Sequence, residues 1–224
     1  PPRLPASRML THHIQHFDTV ELNNTFYKLP AQTSLSDWRD STPPDFHFAV
    51  KGSRFLTHMK KLNNAQDGLN RFLDAVAVLE PKLGPILFQL PPNWDLNMDR
   101  LAAFLALLPR YRRCAFEFRN PTWNTPQTYD LLAQHNAAYC IFDLAGYVSP
   151  VQVTADFSYI RLHGPGGKYQ GSYSDAALKE WARKIHNWSR RLAAVYVYFD
   201  NDDSGYAPQD ALRLKALVHG RPSR

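Results

Sequence analysis

Residues 114–119 read CAFEFR, and this stretch carries the pattern that decides the fold. Side chains alternate between the two faces of a strand, so Phe116 and Phe118 share one face while Glu117 and Arg119 share the other. The aromatic face suits packing beneath helices, and the other face becomes charged only toward its carboxyl end. The pattern predicts a strand that is covered by helices on one side and ends in a polar site.

Similar runs recur along the chain and predict six more strands, at 17–23, 46–51, 85–90, 138–143, 157–163 and 194–200. Apolar residues at three-to-four spacing predict helices around and between them, at 7–16, 34–40, 65–79, 98–108, 126–135, 175–192 and 208–218. Strands that alternate with helices in this way predict βαβ units and a parallel sheet.

The two faces of these strands favour a barrel over an open sheet. A doubly wound sheet has helices on both faces, so its strands read apolar throughout. A TIM-type barrel has a helix-covered outside and gathers its functional groups at the carboxyl ends of the strands. We therefore predict an α/β fold, a TIM-type (β/α) barrel, as a single domain over 1–224.

Composition agrees with one sizeable domain. The chain has 224 residues, of which 44% are hydrophobic, and 26 Lys+Arg against 20 Asp+Glu give a net charge of +6. This charge is compatible with an anionic partner. Two cysteines in apolar runs, Cys114 and Cys140, favour buried thiols and a reducing, cytoplasmic location. No apolar run approaches the ~20 residues of a membrane span, so no membrane partner is expected.

Six motifs occur in a recognisable order along nearly the whole chain, namely VELNNTFY at 20–27, FAVKG at 48–52, LFQLPP at 87–92, FEFRN at 116–120 with Trp123, YIRLHG at 159–164, and Tyr198-Phe199 with Asn201. In these motifs the sequence resembles the YecE-like family, a set of barrel proteins that carry a domain-of-unknown-function label. The resemblance implies a TIM-type barrel and no established reaction.

Two departures from the family pattern stand out. Family members usually begin with a strand that contains a Gly-Ser/Thr-Gly-aromatic motif, and none precedes the first predicted strand here. Seven strands are visible, so we expect the first barrel strand to be missing from this sequence, either because it lies outside these residues or because the barrel is gapped. The second departure is Asp200-Asn201-Asp202, where the family more often has paired asparagines.

The predicted mouth of the barrel collects cations that suit an anionic ligand. Arginine offers a planar fork that matches phosphate or carboxylate, and lysine adds a point charge. We therefore predict that Lys51, Arg119 and Arg161 clamp an anion. The polar ligand-binding candidates beside them are Asn23, Gln89, Asp200 and Asn201.

Proton transfer is assigned first to His163, because imidazole titrates near neutral pH. The other catalytic candidates are Glu117, Asp143 and Glu21. An alternative remains that the carboxylates and cations neutralise one another as a structural network. A divalent metal is a further alternative, since carboxylates and imidazole bind such ions, but the interleaved cations compete for the same carboxylates. No metal ligand is assigned and the cofactor is left open.

Two loops extend the candidate site. Residues 51–61, KGSRFLTHMKK, are basic and aromatic, and such a loop can follow a nucleic-acid backbone and stack a base, although a plain solvated lid has the same composition. Residues 164–174 hold four glycines, whose backbone N–H groups can approach a phosphate, although a flexible loop is equally glycine-rich.

The leading hypothesis is an enzyme that acts on a phosphorylated or other anionic small molecule by acid/base chemistry. A nucleic-acid-binding or nucleic-acid-processing barrel, with or without a metal, is the second hypothesis. A non-catalytic binding protein is the third.

Overall fold

Strands and helices alternate along the chain in the predicted order. The computed structural model describes residues 5–220, which divide into two units, the first ending at Trp123 and the second beginning at Asn124. The prediction of a single domain over 1–224 stays a prediction. Within the described range, no helix combines the length and the apolar character of a membrane span.

From residue 5 onward, the first unit holds four strands and four helices: α1 Ala6–His13, β1 Thr19–Leu22, α2 Gln32–Asp40, β2 His47–Lys51, α3 Gln66–Val76, β3 Leu83–Leu90, α4 Met98–Leu107 and β4 Cys114–Phe118. Its strands pair in parallel in the order β1-β2-β3-β4. Short 3₁₀ turns follow β1 at Asn24–Phe26 and β4 at Pro121–Trp123, and a π-helical turn follows β2 at Phe55–Met59.

Aromatic rings fill the space between sheet and helices in this unit, as the alternation predicts. Phe88 of β3 pairs in register with Phe116 of β4, and their ring centroids are 5.4 Å apart. Phe104 of α4 lies 5.0 Å from Phe88, and Phe72 of α3 lies 6.5 Å from it. At Gly52 an added Cβ would lie 2.6 Å from the Phe88 ring, so only glycine lets the chain leave β2 there.

The second unit holds α5 Pro126–Gln134, β5 Ala138–Leu144, β6 Tyr147–Val148, β7 Phe157–Leu162, α6 Asp175–Ser189, β8 Ala194–Phe199 and α7 Tyr206–His219. The middle strand β7 pairs in parallel with both β5 and β8. The short antiparallel β6 was not predicted. It follows a two-residue turn in which Ala145 and Gly146 both have positive φ, the geometry that joins antiparallel strands tightly.

Three helices begin at side-chain caps. Asn97, Thr125 and Ser174 each accept a hydrogen bond from a backbone N–H in the first turn of α4, α5 and α6. Such caps satisfy N–H groups that have no partner inside the helix. Both thiols are buried, as predicted, and burial raises the pKa of Cys114 to about 12.

The predicted faces of β5 are wrong. Phe142 pairs in register with Arg161 and Asp143 pairs with Leu162, so Asp143 shares a face with Leu162 and not with Arg161. The cause is visible at Tyr139, whose ring packs 5.3 Å from Tyr129 of α5. Its hydroxyl donates a hydrogen bond of 2.8 Å to Asn124 at the edge of the same helix. Tyrosine therefore takes the helix side of the strand, and the alternation carries Asp143 with it.

Candidate functional site

Charged side chains stand at the carboxyl ends of the strands in both units, and each unit forms its own cluster. In the first unit, Glu117 of β4 is fully buried. Arg119, two residues further on, donates a hydrogen bond from Nε to the Glu117 carboxylate. The buried carboxylate therefore meets a cation that directly follows the same strand, as the spacing in the sequence predicts.

The strand register places the other predicted residues of this unit on the same face. Gln89 pairs with Glu117, Lys51 pairs with Leu87, and Glu21 pairs with Ala49. Asn23 is the N-cap residue of the 3₁₀ turn after β1. The predicted face is therefore correct for β1 to β4, whereas the ligand-binding and catalytic roles of these residues stay predictions.

The ends of β1 and β2 are tied together by one hydroxyl. Thr25 Oγ1 lies 2.8 Å from the carbonyl oxygen of Leu22 and 2.7 Å from that of Lys51. The Lys51 ammonium stands 4.7 Å from the centre of the Phe26 ring, within the range of a cation–π contact. The His58 ring meets the same Phe26 ring edge-on at 5.0 Å.

His58 belongs to the π-helical turn and is half-buried. Its Nδ1 lies 2.9 Å from the Thr57 hydroxyl. Burial lowers the pKa of His58, and the positive charges of Lys51 and Arg54 lower it further. The imidazole is thus held toward its neutral form by burial first and by its basic neighbours second.

The second unit brings together Arg161, His163 and Asp200 as predicted from their strand positions. Arg161 Nη2 lies 2.7 Å from Asp200 Oδ2, and His163 Nδ1 lies 3.2 Å from the same oxygen. Arg161 Nη1 lies 3.5 Å from His163 Nε2. Since a guanidinium can only donate, this geometry favours a proton on Nδ1 and an acceptor at Nε2. Arg161 is 3% exposed and His163 is fully buried.

The glycine-rich loop that follows β7 is closely constrained. Gly164 has φ of 108°, and an added Cβ there would run into the backbone of Gln170. The Gly164 N–H donates to the Tyr173 hydroxyl at 3.0 Å, and the Tyr169 ring lies 5.4 Å from His163. These contacts hold the loop beside the Arg161–His163–Asp200 cluster.

Asp210 of α7 anchors this loop, and sequence reasoning missed it. The carboxylate is fully buried and accepts hydrogen bonds from Ser172 Oγ (2.8 Å), Tyr173 N (2.9 Å), Asn201 Nδ2 (2.9 Å) and Arg213 Nη1 (2.8 Å). One signal was available, because Asp210 stands on the face of α7 that also buries Ala207 and Leu214. An acid at a helix position that the periodicity assigns to the core needs partners.

Asn201 and Asp143 differ from their predicted surroundings. Asn201 donates from Nδ2 to the carbonyl of Gly171 at 2.8 Å and to Asp210, so its amide helps to hold the loop. Asp143, on the face opposite to Arg161, has its pKa raised by burial, while a hydrogen bond with Tyr173 acts in the opposite direction. The catalytic role of Asp143 and the ligand role of Asn201 stay predictions.

The described residues offer no group of ligands for the divalent metal that was considered as an alternative. Across residues 5–220, no three His, Cys, Asp or Glu side chains are grouped closely enough to hold an ion. That Lys51, Arg119 and Arg161 bind one common anion stays a prediction.

Parallel strands alternating with helices, with polar groups at the strand ends, define an α/β protein of the TIM-barrel class, and this predicted fold class is confirmed. The family described as "Protein of unknown function DUF72" matches residues 1–224, and the chain belongs to this family. The predicted resemblance to YecE-like proteins is thereby confirmed as well.

Known relatives agree with this assignment. The chain is 26% identical to the UPF0759 protein YunF of Bacillus subtilis over 97% of its own length and 89% of that protein. It is 32% identical to the UPF0759 protein YecE of Escherichia coli over 50% of its length and 42% of YecE.

Solved structures of the family show the same fold. A DUF72 family protein of Thermotoga maritima matches with a TM-score of 0.86 and 28% identity, over 98% of this chain and 92% of that one. A DUF72 family protein of Enterococcus faecalis matches with a TM-score of 0.83 and 20% identity, over 96% and 89% of the two chains.

Proposed function

We propose that this protein is an enzyme that binds a phosphorylated or otherwise anionic small molecule at Arg161 and uses His163 for proton transfer. The observation that carries the proposal is the contact of a buried guanidinium and a buried imidazole with one carboxylate, Asp200, at the ends of β7 and β8. Burying an arginine and a histidine costs free energy unless they are paired, and such groups cluster where chemistry needs them.

The arrangement supports acid/base chemistry because each member orients the next. Asp200 lies against Nδ1 of His163, which leaves Nε2 as the ring atom that exchanges a proton. Arg161 lies beside Nε2, so an anion drawn to its guanidinium is brought to the imidazole. Arginine suits this task because its planar fork matches the oxygens of a phosphate or carboxylate.

The glycine-rich loop supports a phosphate as the anionic group. Residues 165–168 read PGGK, so two glycines, which leave the backbone accessible, and one lysine stand between Gly164 and Tyr169. Backbone N–H groups of such loops bind phosphate oxygens, and loops after late strands of α/β barrels often do so. Because Asp210 and Tyr173 already constrain this loop, little ordering is required when a ligand binds.

The test is a thermal-shift titration with inorganic phosphate and a set of sugar phosphates. Wild-type protein should gain stability as ligand is added. Asp200→Asn removes the carboxylate that competes for Arg161, so its apparent affinity for phosphate should rise about tenfold, whereas Arg161→Gln should lose the response. Lys184→Ala, on the outer surface of α6, is the matched control and should behave as wild type.

One result of these titrations would contradict the proposal. If Asp200→Asn and Arg161→Gln both lower the melting temperature and leave the response to phosphates unchanged, the cluster is a structural network. For any phosphorylated compound that is turned over, His163→Gln should lower kcat by about 10²- to 10⁴-fold with binding retained. Unchanged turnover would remove His163 from the chemistry.

A further inference from the structure

The first unit carries a basic surface that the proposed function does not use. Residues 22–36 and 51–66 contain no aspartate or glutamate. They contain five lysine and arginine residues, Lys28, Lys51, Arg54, Lys60 and Lys61. In a chain with 20 acidic residues, two such stretches form a strongly positive part of the sequence.

Contacts within the first unit bring the two stretches together. The Thr25 hydroxyl bonds to the Lys51 carbonyl, and the Phe26 ring contacts both the Lys51 ammonium and the His58 ring. Residues 24–28 and 51–61 therefore form one surface, which we call the basic surface.

An exposed tyrosine stands on this surface. Tyr27 is 79% exposed and its ring meets the Phe26 ring edge-on at 4.9 Å. Met59 of the π-helical turn is 70% exposed, and Lys28, Arg54 and Lys60 are exposed as well. The fold does not need the Tyr27 ring for its core, so the ring is available to stack on a ligand.

The turn that presents the lysines has a constrained backbone. It begins with the π-helical residues Phe55–Met59, and Lys61 and Leu62 then adopt positive φ of 46° and 60°. The buried Leu62 side chain and a hydrogen bond of 3.0 Å from its N–H to the carbonyl of Leu56 hold this conformation. Single π-helical turns and left-handed non-glycine residues often occur at functional sites.

The positive charges on this surface act on one another. Burial is the largest cause that lowers the pKa of His58, and the positive charges of Lys51 and Arg54 lower it further. The basic side chains thus create a positive potential around this turn, which favours the binding of a polyanion.

We propose that the basic surface binds single-stranded nucleic acid, with Arg54, Lys60 and Lys61 along the phosphates and Tyr27 stacked on a base. Cations that follow the backbone together with an exposed aromatic ring are the two components that single-strand binding requires. A duplex offers phosphates but no free base face. An anionic membrane surface is less suited, because surface-binding helices present a long apolar face and the π-helical turn has five residues.

The experiment is fluorescence anisotropy with a labelled oligo-deoxythymidine and the full chain. Binding should weaken by about 10- to 100-fold between about 50 and 200 mM salt, since phosphate contacts release counterions. The triple variant Arg54→Gln, Lys60→Gln, Lys61→Gln should lose binding. Tyr27→Ala should weaken it by about tenfold and Tyr27→Phe should restore it, because the stacking face is kept.

The matched control removes the same number of charges from the second unit, through Arg183→Gln, Arg190→Gln and Arg191→Gln, which are exposed in and after α6. Its binding should stay within about twofold of wild type. Equal losses in both triple variants would show an effect of net charge only. Absence of binding at the lowest salt, or a preference for duplex that Tyr27→Ala leaves unchanged, would overturn the proposal.

Phosphatidylglycerol vesicles provide the last comparison. Vesicle binding that the basic-surface variant loses, with no binding of the oligonucleotide by wild type, would assign the surface to membranes instead. Binding of the oligonucleotide is independent of the proposed function. Arg161→Gln changes a residue of the second unit, so it should abolish the response to phosphates and leave oligonucleotide binding unchanged.

Discussion

The strand ends of the two units handle charge in different ways. In the second unit, buried charges meet partners on other elements: Arg161 of β7 contacts Asp200 after β8, and Asp210 of α7 holds the glycine-rich loop. In the first unit, the buried Glu117 meets Arg119 only two residues further along the chain, and the cations Lys28, Arg54 and Lys60 are exposed at or beside the turns after β1 and β2. Long-range pairing shapes a loop in the second unit, whereas the pair at the end of β4 is local.

The largest expected effect is in the second unit. Asp210→Ala removes the acceptor of four hydrogen bonds and leaves buried donors unsatisfied, so it should cost about 3–5 kcal/mol in the free energy of unfolding. Urea denaturation measures this cost, and Asp203→Ala on the exposed turn before α7 should leave the midpoint unchanged. A small loss in Asp210→Ala would mean that the loop has other anchors.

Next in size is the local pair of the first unit. Glu117→Gln keeps the shape of the side chain but removes the charge opposite Arg119, and about 2 kcal/mol of stability should be lost. Urea midpoints for Glu117→Gln and for Glu180→Gln, an exposed pair on α6, provide the contrast. Equal midpoints in the two variants would show that the buried pair contributes no more to stability than the exposed pair.

A smaller effect concerns pH and Asp143. Its folded-state pKa is raised by burial, so the folded protein keeps this proton at a pH where the unfolded chain has released it. Stability from this group is therefore present below the unfolded pKa and is lost as pH rises through the folded pKa. Asp143→Asn keeps an acceptor for Tyr173 and should raise the Tm at neutral pH, by about 2–4 °C for each kcal/mol gained.

The gain in Asp143→Asn should vanish in acid, where the native carboxyl is also neutral. Thermal melts between about pH 4 and pH 8 test this, because they span the range in which a carboxyl with a raised pKa titrates. A difference between variant and wild type that is the same at every pH would exclude titration of Asp143 as the cause.

The smallest expected effect is on the pKa of His58, which reports the positive charge of the basic surface. Arg54→Gln removes one of the charges that lower the pKa of His58, so that pKa should rise, and the rise should shrink as salt is added. Titration of the His58 ring signals by NMR measures it, with Arg71→Gln on α3 as the control. An unchanged pKa would show that Arg54 does not act on His58 and would leave burial and Lys51 as the causes of its lowered pKa.

Much of the fold could be predicted because alternation and helical spacing are local properties of the chain. The faces of β4 could be read because Phe116 and Phe118 alternate with Glu117 and Arg119. The faces of β5 were predicted wrongly because both faces of this strand are buried. From the sequence alone, nothing distinguishes Tyr139 from a residue of the interior face, and only its contact with Tyr129 places it on the helix side.

The candidate site could be predicted in part for a related reason. Arg161 and His163 stand two residues apart at the end of β7, and Asp200 joins them from the end of the neighbouring β8. The periodicity of α7 could have indicated that Asp210 is buried, but not which loop it holds, because Ser172 and Tyr173 precede it by 38 and 37 residues. Local sequence patterns do not indicate which residues pair across such a distance along the chain.

The same separation has a consequence for how the chain is made. Synthesis proceeds from the amino terminus, so the glycine-rich loop leaves the ribosome before the carboxylate that holds it. Ser172 and Tyr173 are synthesised 38 and 37 residues before the carboxylate that holds them, so these hydrogen bonds cannot form until Asp210 has been added to the chain. The final shape of the glycine-rich loop therefore depends on a helix that follows it in synthesis.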